Sequence, residues 1–148
     1  MKSLIFLLLV INLGLRAEPS AIPAPPNFAE QIRESDYVVR ADIEKVTQVK
    51  LKPDTYSVQC SLKVKNAYKA KSPLSPDLDV AFIIKPRSYG KMLVQAPDKG
   101  EYIIFLQEKL VKDSKGNSIK TIVLYDPNPY AFYTFSTKLE KQILDNLR

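Results

Sequence analysis

The chain has 148 residues, with 22 Lys and Arg against 16 Asp and Glu for a net charge of +6, and it contains no histidine. Imidazole is the usual general base near neutral pH and the commonest metal ligand, so its absence excludes Ser-His-Asp and Cys-His catalysis, HExxH centres and Cys₂His₂ sites. A single cysteine excludes an internal disulfide, and the fold must rest on its core alone.

The opening run MKSLIFLLLVINLGLRA has one lysine, an apolar stretch from Leu4 to Leu13 and a small residue, Ala17, where cleavage is expected. A bilayer-spanning helix needs roughly 20 apolar residues, so this shorter stretch reads as a secretory signal peptide over residues 1–17 rather than an anchor. No cysteine follows it that could be acylated. Cleavage leaves 131 residues and, without Lys2 and Arg16, a net charge of +4 on a secreted or periplasmic protein. Residues 18–26, EPSAIPAPP, place four prolines in an extended linker, and residues 27–148 form one domain.

Asn27 and Glu30 have capping-box spacing, and Phe28 and Ile32 stand one turn apart, predicting a short helix over 28–34. From Asp36 the period becomes two, with Tyr37, Val39, Ala41 and Ile43 on one side of a half-buried strand. The phase slips near Lys45, which predicts a bulge, and Pro53 and Asp54 make the turn. In TYSVQCSLKVKNAYK, Tyr56, Val58, Cys60, Leu62 and Val64 alternate with Ser57, Gln59, Ser61, Lys63 and Lys65. Cys60 thus falls among core residues, and no neighbouring cation activates it. Lys69 to Asp79 reads as an exposed loop before a third strand, Val80 to Lys85, and Met92 to Val94 as a short strand in the connection that follows. EYIIFLQEKLV is apolar on both faces at its centre, so this fourth strand is expected between the sheet interior and a covering helix. Asp113 to Asn117 turns the chain into a fifth strand carrying Ile119, Thr121, Val123 and Tyr125. The aromatic, proline-rich run Tyr125 to Phe135 reads as a loop, and Thr137 with Glu140 as the capping box of a final helix that buries Leu139, Ile143, Leu144 and Leu147.

Few side chains carry a chemical signal. Ser88 and Lys91 match S-x-x-K, but Gly90 between them disfavours the helix that pattern needs, and the tetrapeptide reads as chance. Asp77 and Asp79 lack the rest of a calcium loop and read as a solvated turn. Gly90, Gly100 and Gly116 make no phosphate cradle. Lys63, Lys65, Lys69 and Lys71 form the one coherent charge feature, on the outward face and exit of the second strand. They are the candidate polyanion surface, set against a solvated face that discourages edge pairing.

This order of elements is compatible with a mainly β fold, a five-stranded Greek-key barrel of the OB type with a short N-terminal and a C-terminal helix. The stretches SDYVVRADIEKV, YSVQCSLKVKNAYKA and GEYIIFLQ resemble the netrin-like, or tissue-inhibitor-of-metalloproteinase-like, domains of secreted proteins, over roughly residues 28 to 125. The resemblance implies the barrel and a role as a binding module. Family inhibitors place a disulfide-anchored N-terminal cysteine on a protease's zinc, whereas here the expected mature start is Glu18-Pro19 with no cysteine near it. No inhibitory residue therefore carries over. The expected function is non-enzymatic: an exported module without cofactor or metal that binds a protein partner through Tyr89, Tyr130, Phe132 and Tyr133 in its loops. The alternative is a polyanion (glycan, anionic lipid or extracellular nucleic acid) held by the four lysines.

Overall fold

A computed structural model describes residues 26–88 and 90–148. The expected signal peptide, all of the expected linker except Pro26, and Tyr89 lie outside the described residues. Helix α1 (Phe28–Glu34) starts where Asn27 Oδ1 accepts the Ala29 N–H at 3.0 Å. It stops at Ser35, whose N–H and hydroxyl both turn back to the Gln31 carbonyl, at 3.0 and 2.8 Å. The strands are β1 (Tyr37–Lys52), β2 (Thr55–Ala70), β3 (Asp77–Ile84), β4 (Gly100–Lys112), β5 (Ser118–Leu124) and β6 (Phe132–Thr134), and α2 (Thr137–Asn146) closes the chain.

All six strands pair antiparallel in the order β3-β2-β1-β4-β5, with β6 beside β4 at Tyr102 to Ile104. The chain is thus mainly β with two helices. Between Ile43 and Lys45 the β1–β2 register shifts, so Glu44 is the extra residue of the bulge expected there. Asp54, in the turn after β1, has φ 52, a left-handed conformation that a short polar side chain tolerates.

Burial follows the alternation in β2: Val58, Cys60 and Leu62 are buried while Gln59 and Lys63 are exposed. At the centre the pattern differs. Tyr37, Val38 and Val39 of β1, and Ile103 to Leu106 of β4, are buried without alternation because both faces of these strands are covered. On one side of β4, the Phe28 ring of α1 meets Phe105 edge-on at 5.7 Å, and Ile32 and Ile143 bring both helices into the core.

Several expectations are corrected. The expected barrel closure is absent from the hydrogen-bonded sheet: β3 and β5 approach within 8 Å but share no ladder. Side chains fill that side instead, with Phe82 of β3 at 5.8 Å from Phe132 of β6. The β2–β3 connection is shorter than Lys69 to Asp79, because Lys63 opposite Asp77 and Ser61 opposite Asp79 continue the ladder with polar pairs. Asp77 and Asp79 are therefore strand residues. Met92 to Val94 form only one bridge, Leu93 to Ile84. The cap of α2 is Ser136, whose hydroxyl accepts the Leu139 N–H at 3.2 Å, one residue before the expected Thr137. The aromatic run holds a short 3₁₀ turn (Asn128–Tyr130) and β6 where a loop was expected.

Candidate binding surfaces

Cys60 is fully buried opposite Val46 of β1 and Val80 of β3. Burial pushes its thiol pKa up to about 11, so it carries almost no thiolate at neutral pH. It is a packing residue.

The aromatic run turns inward. Phe132 packs on Phe82 and meets Tyr102 edge-on at 6.1 Å, while the Tyr133 ring lies 5.9 Å from Phe28 and 5.6 Å from Phe105. Gln31, buried on α1, holds the run in place: its Nε2 donates to the Tyr130 carbonyl, and its Oε1 accepts the Tyr133 hydroxyl at 3.0 Å. A buried amide with both ends satisfied fixes the geometry of what it bridges. Tyr125 is buried as well, its hydroxyl donating to Glu34 at 2.9 Å, and burial with that carboxylate pushes its phenol up to about 12. These residues form a layer over β4. The exposed aromatic loop expected from Tyr130, Phe132 and Tyr133 is therefore corrected: these three are partly buried, and Phe132 and Tyr133 pack on the core.

Of the four lysines singled out from the sequence, Lys63, Lys65 and Lys69 lie on β2 and Lys71 just past its end, and each is engaged. Lys63 meets Asp77 at 3.1 Å, and Lys65 meets Asp42 at 2.9 Å and Glu101 at 3.0 Å. Lys69 donates to the carbonyls of Ile32 and Arg33 at 2.9 and 2.8 Å, closing the C-terminal end of α1. Lys71 lies 3.4 Å from Asp36 and 3.7 Å from Glu108. The carboxylates respond. The Glu108 N–H, then Lys71, hold Asp36 below the usual carboxylate range, and the Arg40 guanidinium, with Lys65, does the same to Glu101. Arg40 sits 2.7 Å from Glu101 and 3.6 Å from Glu140, with its guanidinium 3.8 Å over the Phe135 ring. Tyr68 donates to the same Glu140, and burial followed by that carboxylate pushes its phenol up to about 12. Perturbed groups often mark catalytic centres. Here each charge faces an opposite one, and the network ties α2 to the sheet.

Uncovered surface lies elsewhere, at the outer ends of the two long hairpins. Beyond the bulge, β1 carries Val49 and Leu51, 56% and 57% exposed, among Lys45, Lys50 and Lys52. At the other end of the sheet, β4 and β5 carry Leu110 and Ile119, 71% and 46% exposed, among Lys109, Lys112 and Lys115. None of these six lysines makes an ion pair among the described residues. An open cavity of about 280 Å³ adjoins the first hairpin end, lined by Pro53, Asp54, Thr55, Lys85, Arg87 and Ser88, with Arg87 3.7 Å from Asp54. Sequence reasoning missed both ends. The available signal was that polar Ser57 and Gln59 follow the turn, so that Val49 and Thr47 are set opposite polar rather than apolar cross-strand neighbours.

Among the described residues, no three His, Cys, Asp or Glu side chains are grouped to hold a metal ion, and no helix is long and apolar enough to cross a membrane. The chain matches no protein-family model and no curated protein sequence.

Proposed function

We propose that the chain is an exported, non-catalytic binding module on an OB-type, netrin-like framework, and that it engages a protein partner through the outer ends of its long hairpins. The observation that carries the reading is the set of large apolar side chains left uncovered there, Val49, Leu51, Leu110 and Ile119. Uncovered hydrocarbon rimmed by charge, which each of the two ends presents separately, is the usual mark of a protein contact. The strand order β3-β2-β1-β4-β5, with β3 near β5, supports the OB framework, and the apolar run at residues 4–13 supports export. The aromatic run is a poor contact surface because its rings already pack inside. Lys63, Lys65, Lys69 and Lys71 are a poor polyanion surface, since their charges are spent on nearby carboxylates and carbonyls.

The test is capture of a partner by the tagged chain from its own secreted or envelope fraction, with the bound protein identified. Leu51→Ser and Leu110→Ser, separately and together, are expected to weaken capture while leaving thermal unfolding unchanged. Capture indifferent to both substitutions rejects the hairpin ends as the contact surface. Retention on heparin that falls after Lys63→Ala and Lys65→Ala replaces the protein partner with a polyanion.

A further inference from the structure

We infer that the free edge of β1 from Glu44 to Lys52 accepts an extended segment of a partner chain in which acidic and apolar residues alternate. The inference rests on the binding-module reading and names the chemistry of its partner.

Backbone pairing comes first. β1 pairs with β4 only as far as Ile43, opposite Gly100, whereas its pairing with β2 continues to Lys52, opposite Thr55. Past Ile43, one side of β1 has no strand partner among the described residues. A strand edge of this length presents N–H and C=O groups in the repeat that an added strand matches, and main-chain bonding then supplies affinity without regard to sequence.

Side chains select the guest. Val49 and Leu51 alternate in the sequence with Lys50 and Lys52, and up to the register shift past Lys50 a strand laid beside them meets hydrocarbon on one face and cation on the other. Lys45, Lys50 and Lys52 have no ion pair among the described residues. The one acid of the stretch, Glu44, acts on Lys63 of β2, so the edge keeps a net charge of +2.

That charge also decides between occupants. A second copy of this chain would bring two edges of net charge +2 together, and like charges on paired strands destabilise the pair. Lysines on an edge are a standard defence against self-pairing. The acidic positions of an alternating guest strand meet Lys50 while its apolar positions, on the other face, cover Val49; Lys45, which shares the Val49 face, and Lys52 add to the attraction through the overall charge of the edge. The edge thus refuses its own kind and admits a partner of opposite charge.

The experiment uses the purified chain and a fluorescent peptide of about eight residues, an ordinary strand length, alternating Asp and Val. Three comparison peptides accompany it: one with the same residues in two blocks, and two N-methylated at every second amide, in opposite phases. The alternating peptide is expected to raise anisotropy and to lose affinity as salt rises. Exchanging Lys45, Lys50 and Lys52 for Glu is expected to weaken it on the order of tenfold or more. One phase of N-methylation should abolish binding and the other preserve it, because a strand offers only one of its edges. This pair reads the wild-type chain and holds even if the triple variant fails to fold. No binding at millimolar peptide, equal binding of the block peptide, or equal effects of the two phases overturns the inference. A dimer in sedimentation that the triple exchange dissolves also overturns it, assigning the edge to a second copy. Partner capture is measured in parallel: capture that survives while the alternating peptide fails to bind rejects the edge chemistry and leaves the binding module standing, and loss of both rejects the two together.

Discussion

The β1–β2 hairpin is lysine-rich at both ends, and the structure treats the two ends in opposite ways. At the inner end Lys63, Lys65, Lys69 and Lys71 are held by carboxylates or helix carbonyls, and the strands beneath them are covered by helices and aromatic rings. At the outer end Lys45, Lys50 and Lys52 make no ion pair among the described residues and flank exposed Val49 and Leu51. A lysine count cannot separate these cases. What separates them is whether a neighbouring strand supplies an acid: Asp42 from β1 within the hairpin, and Asp77 of β3 and Glu101 and Glu108 of β4 from outside it. The inner end spends its charge on cohesion, and the outer end keeps its charge for an outside partner.

Cys60 stands opposite Val46 just past the Glu44 bulge, with Val58 still buried beyond it toward the turn. The largest effect is expected there. With its thiol pKa at about 11 and no solvent exposure, Cys60 should react with a thiol reagent at pH 8 at least on the order of a thousandfold more slowly than in urea. Labelling at the same rate in both states would mean that the outer half of the hairpin opens freely. The pH dependence follows from the same burial. A raised thiol pKa favours the folded state below the unfolded thiol range, near about 8.5, and that contribution is lost as pH rises through the folded value. Urea titrations at increasing pH should therefore show a shallower alkaline loss of stability for Cys60→Val than for the parent chain.

Tyr133 tests the inner end more directly. Its ring packs between Phe28 and Phe105 while its hydroxyl bonds to buried Gln31, so Tyr133→Ala is expected to destabilise by about 3 kcal/mol. Tyr133→Phe keeps the ring and leaves one acceptor of Gln31 unpaired, for a loss of about 1 kcal/mol. Urea midpoints measure both. An alanine variant as stable as the parent chain but unable to capture a partner would move Tyr133 from the core to the binding surface.

These contrasts also show which parts of the molecule were legible in the sequence. The alternation of β2, the bulge of β1, the two-sided burial of β4 and the span of α1 were readable because each depends on residues close together in the chain. The cap of α2 was misplaced by one because Thr137 has Glu140 three residues on, whereas Ser136 has Leu139 and makes its bond without the reciprocal acid. The aromatic run looked like a loop because prolines and glycine-free aromatics carry no period. Its inward packing is set by Gln31 and Phe28, about a hundred residues earlier. The neutralised lysines were unreadable for the same reason: Lys65 to Glu101 and Lys71 to Glu108 are pairings of register, which no local pattern encodes.

The smallest and most discriminating comparison exchanges one lysine at each end for methionine, which keeps the aliphatic stem and removes the charge. Lys69→Met frees two carbonyls at the end of α1, Ile32 and Arg33, and breaks the link between that helix and β2. Charge-assisted bonds at a partly exposed helix end are worth about 1 kcal/mol, so the urea midpoint should fall measurably. Lys50→Met breaks no side-chain hydrogen bond or ion pair among the described residues and sits on an exposed strand end, so its stability should stay within about 0.5 kcal/mol of the parent chain. Binding should reverse the order, with Lys50→Met the more damaging to an acidic ligand and Lys69→Met nearly silent. Equal destabilisation by the two exchanges, or equal loss of binding, would mean that the ends of the hairpin are not divided between cohesion and recognition.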